Sequence, residues 1–66
     1  MEFTQKNGMI IKEGKLYLSV VKELIKIEKI DQEKNSLICY NISLSCRSWH
    51  RLDAAIKDNK FILEKY

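Results

Sequence analysis

The stretch Ile38-Cys39-Tyr40-Asn41-Ile42-Ser43-Leu44 decides how this chain reads. Apolar Ile38, Tyr40, Ile42 and Leu44 alternate with Cys39, Asn41 and Ser43. That is the period of a strand with one face in a core and the other toward water. The parity predicts Ile38, Tyr40, Ile42 and Leu44 inward and the small uncharged residues outward. The polar run Asp31-Gln32-Glu33-Lys34-Asn35 precedes it and reads as a turn. A turn there folds 37–44 back on 25–30, which predicts a central antiparallel hairpin.

Upstream, residues 16–30 read two ways. Leu16, Leu18 and Val20 alternate, as do Ile25 and Ile27, and the phase slips between the two sets. A corner or a β-bulge absorbs such a slip. Density in Val, Ile and Tyr favours strands. The alternative is a helix at about 16–29 packed on a small sheet, an α+β arrangement. Its support is the spacing of Tyr17, Val20, Val21, Leu24 and Ile27, with Lys and Glu on the other face. The strand reading is preferred because the alternating strand needs a neighbour.

Downstream, Ser48 is a candidate N-cap, and Trp49, Leu52 and Ile56 share one helical stripe. A short helix over 49–57 is predicted, stopped by Asp58-Asn59. Residues 60–63 follow as a short edge strand. Residues 1–8 are expected as a flexible leader with a turn at Asn7-Gly8, and 9–66 as a single small β-rich domain. Strands, one short helix near the C-terminus and a last strand resemble the plan of small antiparallel, SH3-like, partly open barrels. The fold class is therefore mainly β. The likeness is topological and carries little about function.

Size and charge set bounds. The 66 residues are 45% hydrophobic, enough for one small core. A domain this small buries only about 60% of the surface its unfolded chain exposes. So thin a margin makes a second copy of the chain a plausible stabilising partner. Cys39 and Cys46 lie seven residues apart, roughly 23 Å along a straight strand. A disulfide needs Cα atoms within about 7 Å, so free thiols and a cytoplasmic location are expected. No apolar leader of signal-peptide type and no membrane-length run is present in the sequence. The net charge of +3 comes from twelve basic residues among nine acids, and the signs are interspersed. This permits nucleic-acid binding without demanding it.

No chemistry-bearing motif stands out. His50 is the sole histidine. On a helix, Ser48 and His50 would not face each other, so no nucleophile–base pair is expected and the chain reads as non-enzymatic. Cys39, Cys46, His50 and Asp53 lack the paired short spacings of a zinc site. No metal and no cofactor are expected. The candidate interaction surface is Tyr17, Arg47, Trp49, His50, Arg51, Lys57 and Lys60. The preferred reading is a small protein-interaction domain of adaptor, regulator or inhibitor type. It rests on the polar face of Cys39, Asn41 and Ser43 and on the tyrosines Tyr17, Tyr40 and Tyr66. The alternative is nucleic-acid binding, with Trp49 stacking a base while Arg47, Arg51 and Lys57 hold phosphates. Trp49 reads as core before it reads as contact, because a small domain has little apolar material to spare.

Overall fold

Leu37, Cys39 and Asn41, not Ile38, Tyr40 and Ile42, point into the core. The structure is a computed structural model and describes residues 1–65. Its elements are β1 (Glu2–Thr4), β2 (Ile10–Lys12), β3 (Leu16–Ser19), β4 (Leu24–Asp31), β5 (Ser36–Asn41), β6 (Cys46–Arg51), α1 (Leu52–Lys57) and β7 (Phe61–Lys65). The parity is reversed because β5 ends at Asn41. Ile42 and Leu44 belong to a four-residue turn and lie at the surface. Cys39 acts as a small buried hydrophobe. Asn41 closes the strand. Its Nδ2 donates to Glu23 Oε1 at 3.0 Å, and its Oδ1 accepts from the Leu44 amide at 2.9 Å.

The predicted hairpin is present. β4 and β5 pair antiparallel from Ile25↔Asn41 to Asp31↔Ser36, around a turn over 32–35. Residues 16–30 are strands, and the helix alternative fails. The phase slip falls at a corner over 20–23, where Lys22 takes a positive φ of 66°. A second slip, between Ile27 and Lys29, is a bulge. It explains why Ile25, Ile27 and Ile30 all reach the core although a regular alternation would turn Ile30 outward.

Two antiparallel sheets result. β1 and β2 form a hairpin, and the other five strands run in the order β6-β5-β4-β3-β7. The larger sheet is open, since β6 and β7 are its two edges and do not pair. α1 bridges the gap in sequence between them. The core gathers Phe3, Ile11, Tyr17, Ile27, Leu37, Leu52 and Phe61 with their neighbours. Tyr17 stacks obliquely on Phe61 with ring centroids 5.7 Å apart. Its hydroxyl accepts the Lys12 amide at 2.7 Å, which satisfies the polar end of a buried ring. The molecule is a compact, mainly β domain with one short helix near the C-terminus.

Residues 1–8, expected as a leader, carry β1 and place Phe3 and Gln5 inside. Gln5 pairs with the backbone of Phe61 in both directions. Its Nε2 donates to the Phe61 carbonyl at 2.9 Å, and its Oε1 accepts the Phe61 amide at 2.8 Å. The Lys6 amide reaches the Ile56 carbonyl at 3.0 Å, and the Asn7 amide reaches Asn59 Oδ1 at 2.8 Å. The N-terminal hairpin is thereby fastened across β7 and the end of α1.

The helix is shorter than predicted. Residues 46–51 are strand, and the N-cap is Arg51, with no side-chain cap of its own. Ser48 caps nothing. Asn35, in the β4–β5 turn at φ 52°, does the capping from a distance. Its carbonyl accepts the Leu52 amide at 3.0 Å and its Oδ1 the Asp53 amide at 2.8 Å. These bonds satisfy donors that every helix start leaves open.

Replacing Gln5 by leucine strands both backbone groups of Phe61 in the interior. The expected loss is about 1–3 kcal/mol of unfolding free energy, measured by urea denaturation. A loss under about 0.5 kcal/mol, within the range of ordinary surface changes, would mean that the clamp does not hold the hairpin.

Candidate functional site

β6 reads Cys46-Arg47-Ser48-Trp49-His50-Arg51. On a strand, side chains two apart share a face. Ser48 and His50 turn toward the core side, opposite Cys39 and Leu37. Arg47, Trp49 and Arg51 turn outward, opposite Tyr40, Ile38 and Ser36. This is where the expected helix misleads most. Trp49 is 60% exposed and is not core. Its indole Nε1 donates to Ser36 Oγ at 2.8 Å, which pins the ring against the outer face of β5.

A groove of about 420 Å³ lies beside this strand, where the larger sheet is open. Trp49, His50 and Arg51 form one wall, and Val20 and Lys60 lie on its lining as well. Ala54, Ala55 and Asp58 bring α1 and its C-cap into the same lining. Two local bonds set the lip formed by Val20 and Lys60. The Val20 amide donates to the Lys60 carbonyl at 2.9 Å, and the Lys60 amide reaches the Ala55 carbonyl at 3.5 Å. Among the described residues, no backbone group outside β5 bonds to the backbone of Cys46–His50. Its far side is a free edge.

The expected surface divides accordingly. Trp49, His50, Arg51 and Lys60 meet at the groove. Arg47 stands on the outer face and is held by Glu28 across β5, with Nη2 and Oε2 3.2 Å apart. That pair holds the Glu28 carboxyl below its ordinary range. Lys57 sits exposed in the last helical turn, away from the groove lining. Tyr17 is fully buried and cannot contact a partner. Tyr40 is half-buried on the outer face, and Tyr66 lies outside the described residues. The polar face of Cys39 and Asn41, expected to receive a partner, faces inward instead. Sequence reading missed Val20, Ala54, Ala55 and Asp58. The alternation of Arg47, Trp49 and Arg51 with Ser48 and His50 was the available signal for a strand at this place.

Ser48 Oγ and His50 Nε2 share a hydrogen bond of 2.9 Å. The separation expected on a helix does not apply. Nucleophilic chemistry also asks for a third group orienting the imidazole and for donors to a developing oxyanion. Among the described residues, no hydrogen bond engages the other ring nitrogen. Both cysteines are free, with Cys39 buried and Cys46 exposed. Burial pushes the Cys39 thiol up to about 11, so it is no nucleophile at neutral pH. No cluster of metal-ligating side chains occurs among the described residues. No helix among them is long and apolar enough to cross a membrane. Comparison with protein-family models, with curated proteins and with solved structures finds no match to this chain.

Burial, with the Lys60 ammonium nearby, holds the His50 imidazole below its ordinary 6.5. A depressed histidine favours the fold while neutral. Its contribution is complete above about pH 6.5 and is lost as pH falls below that value. The urea midpoint is expected to drop between pH 6.5 and pH 5 (limits from the ordinary histidine value), and to drop less in His50→Gln. An NMR titration of this single imidazole that gave 6.5 or more would refute the assignment. Trp49→Ala is expected to cost about 1–2 kcal/mol, against about 3–5 for buried Phe61→Ala. A Trp49→Ala loss as large as that of Phe61→Ala would return Trp49 to the core.

Proposed function

We propose that the chain is a non-enzymatic protein-interaction domain of SH3-like, partly open barrel plan, and that the groove beside β6 is its binding site. The supporting observation is a free strand edge bordering a concave surface whose rim holds an exposed, hydrogen-bonded tryptophan. Tryptophan and arginine dominate the energetics of interaction surfaces. The strand order β6-β5-β4-β3-β7, with α1 between β6 and β7, supports the barrel plan. The Ser48–His50 pair reads as a structural bond on the core side of the strand.

A specific observation favours one second reading, single-stranded nucleic acid. Cross-strand register sets Lys26 beside Tyr40 and Tyr40 beside Arg47, with Lys29, Ile38 and Trp49 in the next row. Aromatic rings among cations can stack bases and hold phosphates. The pairing of Arg47 with Glu28 and of Arg51 with Asp53 leaves the lysines as the uncommitted charge on this face. That weakens the reading relative to a protein partner.

Trp49 is the only tryptophan, so its fluorescence reports on the site directly. A phage-displayed library of unstructured peptides, selected on the chain, is expected to yield binders that shift Trp49 emission and lose affinity in Trp49→Ala. Oligothymidylate at low salt is expected to leave the emission unchanged. Oligothymidylate quenching that falls steeply with salt, with no peptide binder, would move the function to nucleic acid.

A further inference from the structure

The two edges of the larger sheet differ at the start of β7. At β7, both backbone groups of Phe61 are occupied by the Gln5 amide. At β6, the backbone of Cys46–His50 bonds only to β5 among the described residues, and Arg51 leads into α1 as its N-cap. Alternate N–H and C=O groups therefore remain open along this strand, whose last three residues, Trp49, His50 and Arg51, border the groove. Open edges are templates for another strand. A strand laid along β6 would turn alternate side chains toward Ala54 and Ala55, the small residues that α1 contributes to the lining.

Charge narrows what such a strand carries. β6 holds Arg47, His50 and Arg51 and no acid. Arg47 is engaged by Glu28 and Arg51 by Asp53, at 3.0 Å in the latter pair. Lys60 lines the groove half-buried, and no ion pair engages it among the described residues. Asp58 is the one acid in the same lining, and with Arg51 held by Asp53 the unpaired Lys60 ammonium is the group there that a carboxylate can meet. A second copy of β6 would bring no carboxylate of its own to the Lys60 ammonium.

We infer that the groove takes an acidic segment of a partner protein in extended conformation, added to β6 as a sixth strand of the larger sheet, with a carboxylate against the Lys60 ammonium. The inference rests on the protein-binding reading above and gives that partner its chemistry.

The test uses the whole chain and a blocked eight-residue peptide that alternates valine with threonine or glutamate. Two companions carry lysine for glutamate, or N-methyl groups on the backbone nitrogens that would face β6. Amide shifts in a nitrogen–proton correlation spectrum are expected to concentrate in Cys46–Arg51. Lys60→Glu is expected to weaken the acidic peptide at least about tenfold and to strengthen the lysine peptide. Lys60→Gln serves as the milder variant if Lys60→Glu disturbs the spectrum of the free chain. N-methylation is expected to abolish binding. The inference is overturned if the N-methylated peptide binds equally well, if the charge swap changes nothing, or if shifts fall outside β6. It is also overturned if sedimentation shows a dimer that the acidic peptide leaves intact, with β6 amides protected in it. Selected peptides that need Trp49 but ignore Lys60 and N-methylation would sink this inference while leaving the protein-binding reading standing. Absence of any peptide binder would remove both.

Discussion

The Gln5 amide stands in for a missing strand. Its oxygen and nitrogen meet the N–H and C=O of Phe61 at 2.8 and 2.9 Å, the geometry a neighbouring backbone would supply. An open five-stranded sheet has two edges to protect. Here one side chain occupies both outer backbone groups of β7 at its most buried residue, next to the β1–β2 hairpin. Phe61 can then pack on Tyr17, and the core that follows from that contact includes Phe3 and Ile11 of the hairpin itself. Among the described residues, nothing comparable covers β6. The two edges therefore differ at this one position, set by Gln5.

Asn35 makes the matching joint on the other side. Its positive φ suits the β4–β5 turn, and its carbonyl and side chain together hold the first amides of α1. A helix of six residues has little stability of its own. Tied to the turn at its start, and packed into the core by Leu52 and Ala55, it stays beside β6. The groove is therefore built from long-range contacts, since its lining residues come from the 20–23 corner, β6, α1 and the approach to β7.

The central hairpin was legible because an alternating run behind a polar turn has few other readings. The facing of that run was not. Alternation at 38–44 extends across the end of β5 into a turn, so Ile42 and Leu44 lent weight to the wrong parity. Inward Cys39 and Asn41 are small or polar residues that periodicity counts as outward. The strand at 46–51 was lost for a related reason. The spacing of Trp49, Leu52 and Ile56 fits a helix, but only its last two members belong to one. The leader was misjudged because Gln5 is polar, and only a partner in space shows that its burial is satisfied. Half of the candidate site was legible as a cluster of aromatic and basic residues. The groove depends on contacts between distant segments, to which local patterns are blind.

Trp49 is the costliest exposed side chain of the fold. A tryptophan offers roughly 150–250 Å² for burial, and leaving 60% of it in water forgoes on the order of 2–4 kcal/mol at about 25 cal/mol per Å². Small domains rarely hold so much in reserve. Scattered surface leucines need no explanation, but this ring is fixed by Ser36 and flanked by Arg47 and Arg51 on its own strand. The free edge beside it violates a second local rule, the protection of unpaired strands. Two departures from self-sufficient folding therefore fall at one place, in a chain that leaves no buried side-chain polar atom unpaired among the described residues.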